Sequence, residues 1–555
     1  MVPLFFAVVG TVFGSRGQAS LSQWMELAGG LGLFLVGVIL MTDGLRAVAG
    51  ELMRRALTRF TRSPASGALT GAVSTAILQS SSATTVAAVG FVGAGLLSYP
   101  QALGVIFGAN LGTTITGWMV ALLGFKLDLG SLLLPAILLG ALLHLFGRER
   151  HRAAGLALAG FGLIFAGIDV MQSGMAGLEG RLTPAVFPDN SWVGRLQLLA
   201  VGMLITVITQ SSSAGVAAAL TAVHGRVMEF EQAAALVIGM DVGTTATALV
   251  ATLGGSADTR RTGYSHVVYN LFTGAMAFVF LLPYVALWQW LAPGLLYQQA
   301  ELALVGFHSL FNLLGVLLVL PLAAQFARLM MWLVPAPEEA FTENLDRQLL
   351  RDPTVALEAL HLSLGRILHA LLHYTVALLR DQPSAQVDRH RELGEAIERC
   401  QRFVDDIHLR PTAAQEWQAL LACMHMIDHL QRLHHRLADR QTAQRWQEKG
   451  PPLHSGVVFD DGCRQLLKLV SSGQWSEATQ QAAAFAESCE RDTEQAREQL
   501  MADIAEGREN TVNGDHYLDA LRWQRRSARH LARCLWYYQR LSGLSPYRLT
   551  DSVVQ

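Results

Sequence analysis

Charge is scarce in this 555-residue chain and, over two long stretches, absent. Asp, Glu, Lys and Arg make up 15% of it against a hydrophobic share of 51%, too apolar for a wholly soluble protein of this size. From Ser63 to Phe125, and again from Leu196 to Gly225, there is no Asp, Glu, Lys or Arg. Basic blocks are missing too, and a net charge of −2 leaves no electrostatic footprint for nucleic acid. Cysteine is confined to five late positions, Cys400, Cys423, Cys463, Cys489 and Cys534. They lack close metal-ligand spacing and suit a reducing compartment rather than a disulfide framework. No nucleotide-binding loop is present, so the chain reads as a non-enzyme without a cofactor.

What is present divides near Val334. Before it lie long apolar runs with short polar breaks, and after it a charged sequence with apolar residues at helical spacing. The expected fold class is all-α: a membrane domain followed by a soluble helical bundle. Residues 1–27 read as a signal-like or periplasmic segment, too short in its apolar part to span a ~30 Å core. Spans are expected near 28–47, 101–124, 129–147, 153–176, 232–254, 264–291 and 300–334, with a linker at 335–351.

One pentapeptide occurs twice. Gln79-Ser80-Ser81-Ser82-Ala83 and Gln210-Ser211-Ser212-Ser213-Ala214 are each followed, 31 residues after the glutamine, by Asn110-Leu111-Gly112-Thr113-Thr114-Ile115-Thr116 or Asp241-Val242-Gly243-Thr244-Thr245-Ala246-Thr247. Gly32-Leu33-Phe34-Leu35-Val36-Gly37 is similarly matched by Gly162-Leu163-Ile164-Phe165-Ala166-Gly167, so 28–147 and 153–291 read as two repeats. The segments 64–97 and 196–224 are interrupted by Gln-Ser-Ser-Ser and are expected to be re-entrant helical hairpins. Three crossings per half would invert the second repeat. Arg46, Arg54, Arg55, Arg59, Arg62, Arg148, Arg150, Arg152, Arg260 and Arg261 then share one side, leaving Lys126, Arg181, Arg195 and Arg226 opposite. The positive-inside rule makes the richer side cytoplasmic, and with it the C-terminal domain, in an inner membrane.

A helix broken within the membrane exposes backbone amides where its dipole favours an anion. Ser80, Ser81, Ser82, Ser211, Ser212 and Ser213 lie at those breaks as hydroxyl donors. Hydroxyl oxygens, the Gln79 and Gln210 carbonyls and freed backbone carbonyls could equally hold a hard cation, and an anion beside a cation lowers the cost of both. Small residues also serve simple helix packing; Gly104, Gly108 and Gly112, and Gly239 and Gly243, make such stripes. The duplication at equal spacing favours a transport site.

The doubled Gln-Ser-Ser-Ser with trailing Gly-Thr-Thr closely resembles the type II sodium-phosphate cotransporters and their bacterial relatives, many of which carry a PhoU-like extension. The resemblance covers most of 28–334. It implies inorganic phosphate as substrate and sodium as coupling ion, moved by alternating access. By position it implies the six serines for phosphate, and Gln79, Thr84, Thr85, Asn110, Thr113, Thr114, Gln210, Asp241, Thr244 and Thr245 for sodium. The second copy departs from the first in Gly215 and Val216, where Thr84 and Thr85 stand. Asp241, a lone charge at Asn110's equivalent, is expected to help bind sodium. Asp43 and Asp169 lie nearer span ends and are weaker ion candidates. His266 with Asn270, and His308 with Asn312, four apart, are expected to bond from helix to helix. Alternatives are a phosphate sensor without flux, another oxyanion, or proton coupling.

In the C-terminal part, 352–545, Asp352-Pro353 should start a helix. Leu357, Leu360, Leu364, Ile367 and Leu371 follow a three-four spacing, and Leu393, Ile397, Cys400, Val404 and Ile407 mark a second helix. Thr412 and Gln415 suggest a capping box for a third. Gly450-Pro451-Pro452 breaks the pattern before helices near 455–472, 475–509 and 515–542, giving two three-helix units similar to PhoU. Glu358, His361, Arg366 and His373 exclude a span here. Asp388 with Glu392, Glu494 with Glu498, and His425 with His429 beside His434 and His435 have ligand-like spacing but read as solvated faces. Membrane lipid, a phosphate-signalling protein and a second copy of the chain are the expected partners.

Overall fold

The computed structural model describes residues 21–127, 129–177, 183–253, 255–335, 341–379, 386–411, 413–439 and 453–545. The first twenty residues of the signal-like segment, Arg181, residues 336–340 of the linker, Thr412 and Gly450-Pro451-Pro452 lie outside these. All regular structure among the described residues is helical. The chain divides into two units. One comprises residues up to Val89, Tyr99–Leu253 and Asp258–Pro335; the other comprises Gly90–Ser98, Gly254–Ala257 and the chain from Ala336.

In the first unit α1 (Leu21–Phe60) is followed by α2 (Pro64–Leu78), α3 (Ser81–Gly93) and α4 (Tyr99–Met119), which runs on as a π-helix, Val120–Lys126. Then come α5 (Leu134–Phe146), α6 (Glu149–Ala176), α7 (Trp192–Thr209), α8 (Ser212–His224), α9 (Phe230–Gly243) and α10 (Thr245–Val250). The unit ends with α11 (Ala257–Leu291), α12 (Leu295–Gln298), α13 (Ala300–Val319) and α14 (Ala323–Leu333).

Among the described residues eight helical stretches are long and apolar enough to cross a membrane: Ser22–Phe60, Tyr99–Lys126, Glu149–Ala176, Trp192–Thr209, Phe230–Val250, Ala257–Leu291, Ala300–Leu333 and Pro353–Leu378. The chain is therefore a multi-pass membrane protein. The expected 28–47 span is the middle of a longer helix, because no proline interrupts Leu21–Phe60. The expected 129–147 span falls in Ser131–Phe146, one of the shorter apolar helices, and α7 has 18 residues, near-span length at 1.5 Å per residue.

Glycine decides the packing. α1 and α6, the opening helices of the two repeats, run antiparallel in backbone contact: a Cβ on Gly30, Gly37 or Gly44 would sit 2.6, 2.6 or 2.4 Å from the amide of Met171, Ile164 or Ala157. α2 and α4 instead run parallel. A Cβ on Gly104 or Gly108 would lie 1.9 or 1.8 Å from the carbonyl oxygen of Pro64 or Ala68. α7 and α9 repeat this, with Gly239 at 1.9 Å from the Leu199 carbonyl. The packing role weighed for these glycine stripes is what the structure shows.

The second unit contains α15 (Pro353–Leu378), α16 (Gln386–Asp405), α17 (Ala414–Leu437), α18 (Leu453–Ser471), α19 (Trp475–Ala505) and α20 (Thr511–Leu544). α15 to α17 pack on one another, α19 packs on α18 and α20, and α17 with α20 joins the two sets. Asp352 is the N-cap and Pro353 starts α15. Leu357, Leu360, Leu364, Ile367, Leu371, Leu393, Ile397, Cys400, Val404 and Ile407 are all buried as their spacing predicts. α15 meets the length and composition of a span, yet its apolar surface is turned into this bundle along with buried Glu358 and His361. All five cysteines are buried and free.

Candidate functional site

Both Gln-Ser-Ser-Ser motifs are built alike. Ser63 caps α2, with Pro64 in the first turn, and Ser191 caps α7. Each helix ends at the motif glutamine: Gln79 closes α2 at φ 54° and Gln210 closes α7 at φ 55°, both left-handed. The chain then restarts as a helix within two residues. Ser80 and Ser211 occupy the restart, their hydroxyls accepting the amides of Ala83 at 3.2 Å and Ala214 at 3.3 Å. The opening amides of α3 and α8 therefore point at the break with the positive end of the dipole. Among the described residues no hydrogen bond engages the hydroxyls of Ser81, Ser82, Ser212 or Ser213, which sit in those first turns.

The glutamine side chains have fixed partners. Gln79 donates its amide to the Ala76 carbonyl at 2.5 Å and Gln210 to that of Val207 at 2.7 Å. Each side-chain carbonyl accepts a threonine hydroxyl, Thr116 to Gln79 at 2.8 Å and Thr247 to Gln210 at 2.6 Å. These two threonines close both Gly-Thr-Thr motifs, 37 residues after their glutamines. They were missed as site residues; equal offset from the repeated glutamine was the signal available.

The remaining motif residues separate into two networks. The Asn110 side-chain amide donates to the Asn270 side-chain oxygen, and His266 Nε2 lies 3.3 Å from the Asn110 oxygen. In the second half Asp241 replaces Asn110: Oδ1 is 3.1 Å from His308 Nε2, and Oδ2 accepts Asn312 Nδ2 at 2.7 Å. The His-x-x-x-Asn pairs thus bond from helix to helix, as their spacing suggested. All six side chains are buried.

Threonine positions are less symmetric. Thr75 donates to Thr84 at 3.0 Å. In the second half Gly215 stands where Thr84 stands in the first, and the buried hydroxyl of Thr206, the counterpart of Thr75, has no partner among the described residues. Thr85 is likewise buried without one. Thr113, Thr114, Thr244 and Thr245 donate to carbonyls of their own helices, leaving only lone pairs for an ion. A Cβ on Gly117, beside Thr116, would be 3.7 Å from Val216, so the first Gly-Thr-Thr helix meets the start of α8.

Among the described residues no group of three or more His, Cys, Asp or Glu could hold a metal ion. Asp388 pairs with Arg391 and Glu494 with Arg497 on their own helices. Asp43 is exposed on α1 and Asp169 partly buried on α6.

Long apolar helices around a duplicated, charge-poor polar centre define a multi-pass membrane transport protein. Residues 33–173 and 189–317 match the family described as Na+/Pi-cotransporter. The chain belongs to that family. It is 33% identical over 312 residues to YqeW of Bacillus subtilis, covering 55% of this chain and 95% of YqeW. It is 27% identical over 340 residues to YjbB of Escherichia coli, whose name proposes inorganic phosphate export, covering 60% of each. It is 29% identical over 157 residues to sodium-dependent phosphate transport protein 2A of mouse, covering 28% of this chain and 24% of that protein. No solved structure matches the chain.

Proposed function

We propose that this chain moves inorganic phosphate across a membrane with sodium as coupling ion, by alternating access around its two broken helices. The observation that carries this reading is the glutamine turn built twice, each with a serine-capped helix start and a threonine on the glutamine carbonyl. The anion takes the amide-rich starts of α3 and α8 with the hydroxyls of Ser80, Ser81, Ser82, Ser211, Ser212 and Ser213. Neutral donors suit it, because a fixed cation in apolar surroundings would cost several kcal/mol.

Sodium takes the oxygen-rich side of each break. Gln79 with Thr116, and Gln210 with Thr247, present a carbonyl and a hydroxyl together, the hard ligands such an ion needs. Thr84, Thr85, Asn110, Thr113 and Thr114, with Thr244, Thr245 and Asp241, complete the candidate set. Asp241 brings the one negative charge, its oxygens each retaining a lone pair beside the His308 and Asn312 contacts.

The antiparallel pairing of α1 with α6, which are equivalent by repeat, supports an inverted arrangement. α3 and α8, with 13 residues each, reach ~20 Å at 1.5 Å per residue and fit re-entrant hairpins. The arginine distribution supports reading the second unit, taken as PhoU-like, as cytoplasmic, in an inner membrane.

Labelled-phosphate flux into proteoliposomes under an inward sodium gradient, with potassium as control, tests the proposal. The expected result is sodium-dependent flux, lost when Ser81, Ser82, Ser212 and Ser213 are changed to alanine. Saturable phosphate binding without flux in either direction would make the protein a sensor instead. The same vesicles with reversed gradients decide between uptake and the export that YjbB's name proposes.

A further inference from the structure

Two helices of the second unit carry matching basic stripes. On α17, His425, His429, Arg432 and Arg436 recur at steps of four, three and four; on α20, Arg526, His530, Arg533 and Tyr537 recur at the same steps. Such spacing puts each set on one helix face. The helices are antiparallel, so the sets lie side by side. His425 stacks on Tyr537 at 5.3 Å, the Nδ1 atoms of His429 and His530 are 3.1 Å apart, and at the far end Trp523 donates to the Arg436 carbonyl at 3.0 Å. His429 was read from sequence as part of an exposed face; it is a half-buried joint between helices.

This strip is cationic with almost nothing to balance it. Asp428 faces it and is held by Arg432 Nε at 2.9 and 3.0 Å from its two oxygens. Among the described residues Arg436, Arg526 and Arg533 form no ion pair, and the buried Nε of Arg436 has no hydrogen-bond partner. The flanking helices do not neutralise it. α19 gives Glu490 to Arg529, α16 sets His390 against His434 with Glu398 nearby, and α15 directs Glu358 toward Cys423 and His361 toward Tyr538.

The groups also act on one another. Burial, then Arg526 and Arg432, holds Arg436 below the usual guanidinium range. Burial, then His429, Arg436 and Arg432, pushes His530 down to about 4. Burial lowers His429 as well, with Arg432, Arg533 and His425 adding to it against Asp428. Like charges gathered at a helix joint oppose folding, and an anion seated between them adds an attraction to each cation that offsets their mutual repulsion.

From this arrangement we infer that the α17–α20 strip is a binding site for a small soluble anion carrying two or more phosphate groups. Guanidinium forks match phosphate oxygens two at a time, and Tyr537 with the imidazoles supplies flat, weakly polar walls. Eleven residues of helix reach ~16 Å at 1.5 Å per residue, a length that takes linked phosphates rather than one. The site lies within the second unit and does not rest on the transport reading.

Binding has a proton signature. Burial and neighbouring cations disfavour the charged forms of His429 and His530, and a polyanion favours them, so the pair, whose Nδ1 atoms 3.1 Å apart can share one proton, takes up a proton on binding. The test is calorimetric titration of the full-length protein, in nanodiscs of neutral lipid, with pyrophosphate and with tripolyphosphate. Two buffers of different ionisation enthalpy are used at pH 7, and inorganic phosphate and sulfate serve as comparisons.

The expected result is tighter binding of the condensed phosphates than of either comparison anion, with proton uptake. It should weaken at least tenfold in Arg436→Gln/Arg526→Gln and stay unchanged in Glu490→Gln/Arg529→Gln, a control pair beside the strip. A combined Ser81, Ser82, Ser212 and Ser213 alanine variant separates any binding in the membrane unit. No binding, sulfate binding equally well, or binding indifferent to the first variant would overturn the inference. Loss of soluble-ligand binding in discs containing phosphatidic acid would give the strip to a lipid headgroup and overturn the soluble form. Hydrogen exchange across 414–437 and 511–544 confirms that each variant is folded.

Discussion

Asn270 and Asn312 hold equivalent places in the two halves, but one faces an amide and the other a carboxylate, so the same substitution should cost different amounts. Asn270→Leu removes the acceptor of the Asn110 amide, a neutral bond, whereas Asn312→Leu removes the donor that reaches Asp241 Oδ2 at 2.7 Å. Solvent replaces neither, since the two asparagines are 1% and 0% exposed. A neutral bond contributes about 0.5–1.5 kcal/mol and one to a charged group about 1.5–3 kcal/mol. Each variant also loses a back-bond of 3.1 Å to the histidine carbonyl four residues earlier, which cancels in the comparison. The expected excess for Asn312→Leu is about 1–1.5 kcal/mol, or roughly 1–2 °C of melting temperature in a chain of this size. Thermal unfolding of the purified protein in detergent measures it, and in an Asp241→Asn background the excess should vanish. Equal losses at Asn270 and Asn312 in the native background would refute the reasoning.

Thr116→Val and Thr247→Val free the glutamine carbonyls; each should lose about 1 kcal/mol of positioning and weaken sodium dependence of phosphate flux about fivefold, and unchanged sodium titrations would count against the glutamine turn as an ion site. Gly108→Ala and Gly239→Ala press a methyl group onto a facing carbonyl and should cost about 1–3 kcal/mol each, whereas Gly32→Ala, with nothing within 4 Å of its Cβ, should stabilise slightly; melting temperatures decide. In the second unit burial, first among the causes, lowers His369, His429, His434 and His530. Protons then prefer the unfolded chain, so this stability is full above the ordinary histidine pKa of about 6.5 and is lost as pH falls toward 4; faster hydrogen exchange of α17 and α20 at pH 5 than at pH 7.5 is the readout. Burial pushes the Cys400 and Cys489 thiols up to about 12, and alkylation at pH 7.5 should label neither until denaturant is added.

Legibility from sequence followed how local each signal is. The break at Gln79 and Gln210 was visible because a polar pentapeptide interrupts apolar sequence, and the His-x-x-x-Asn pairs because spacing of four fixes a helix face. The glycine stripes were legible as packing, but not that α2 runs parallel to α4, since direction depends on how the intervening chain returns. Thr116 and Thr247 escaped because threonine is ordinary in a membrane helix, and only the turned glutamine makes its hydroxyl matter. His429 escaped for the opposite reason: its partner His530 stands 101 residues away on another helix, and no periodicity within α17 reports it. The end of α1 was missed because a hydropathy boundary is not a helix boundary, and the backbone continues through Arg46 to Phe60.

Three non-glycine residues among those described have a positive φ, and two of them are Gln79 and Gln210. A side chain in the left-handed region costs about 1–2 kcal/mol that glycine avoids, so at both turns the conformationally easy residue is the one not used. Gln79→Gly and Gln210→Gly should therefore relieve local strain while removing the carbonyl that meets Thr116 or Thr247. These turns are places where selection for foldability and selection for use pull apart, and a library sorted for thermostability alone should drift toward glycine there while activity disappears.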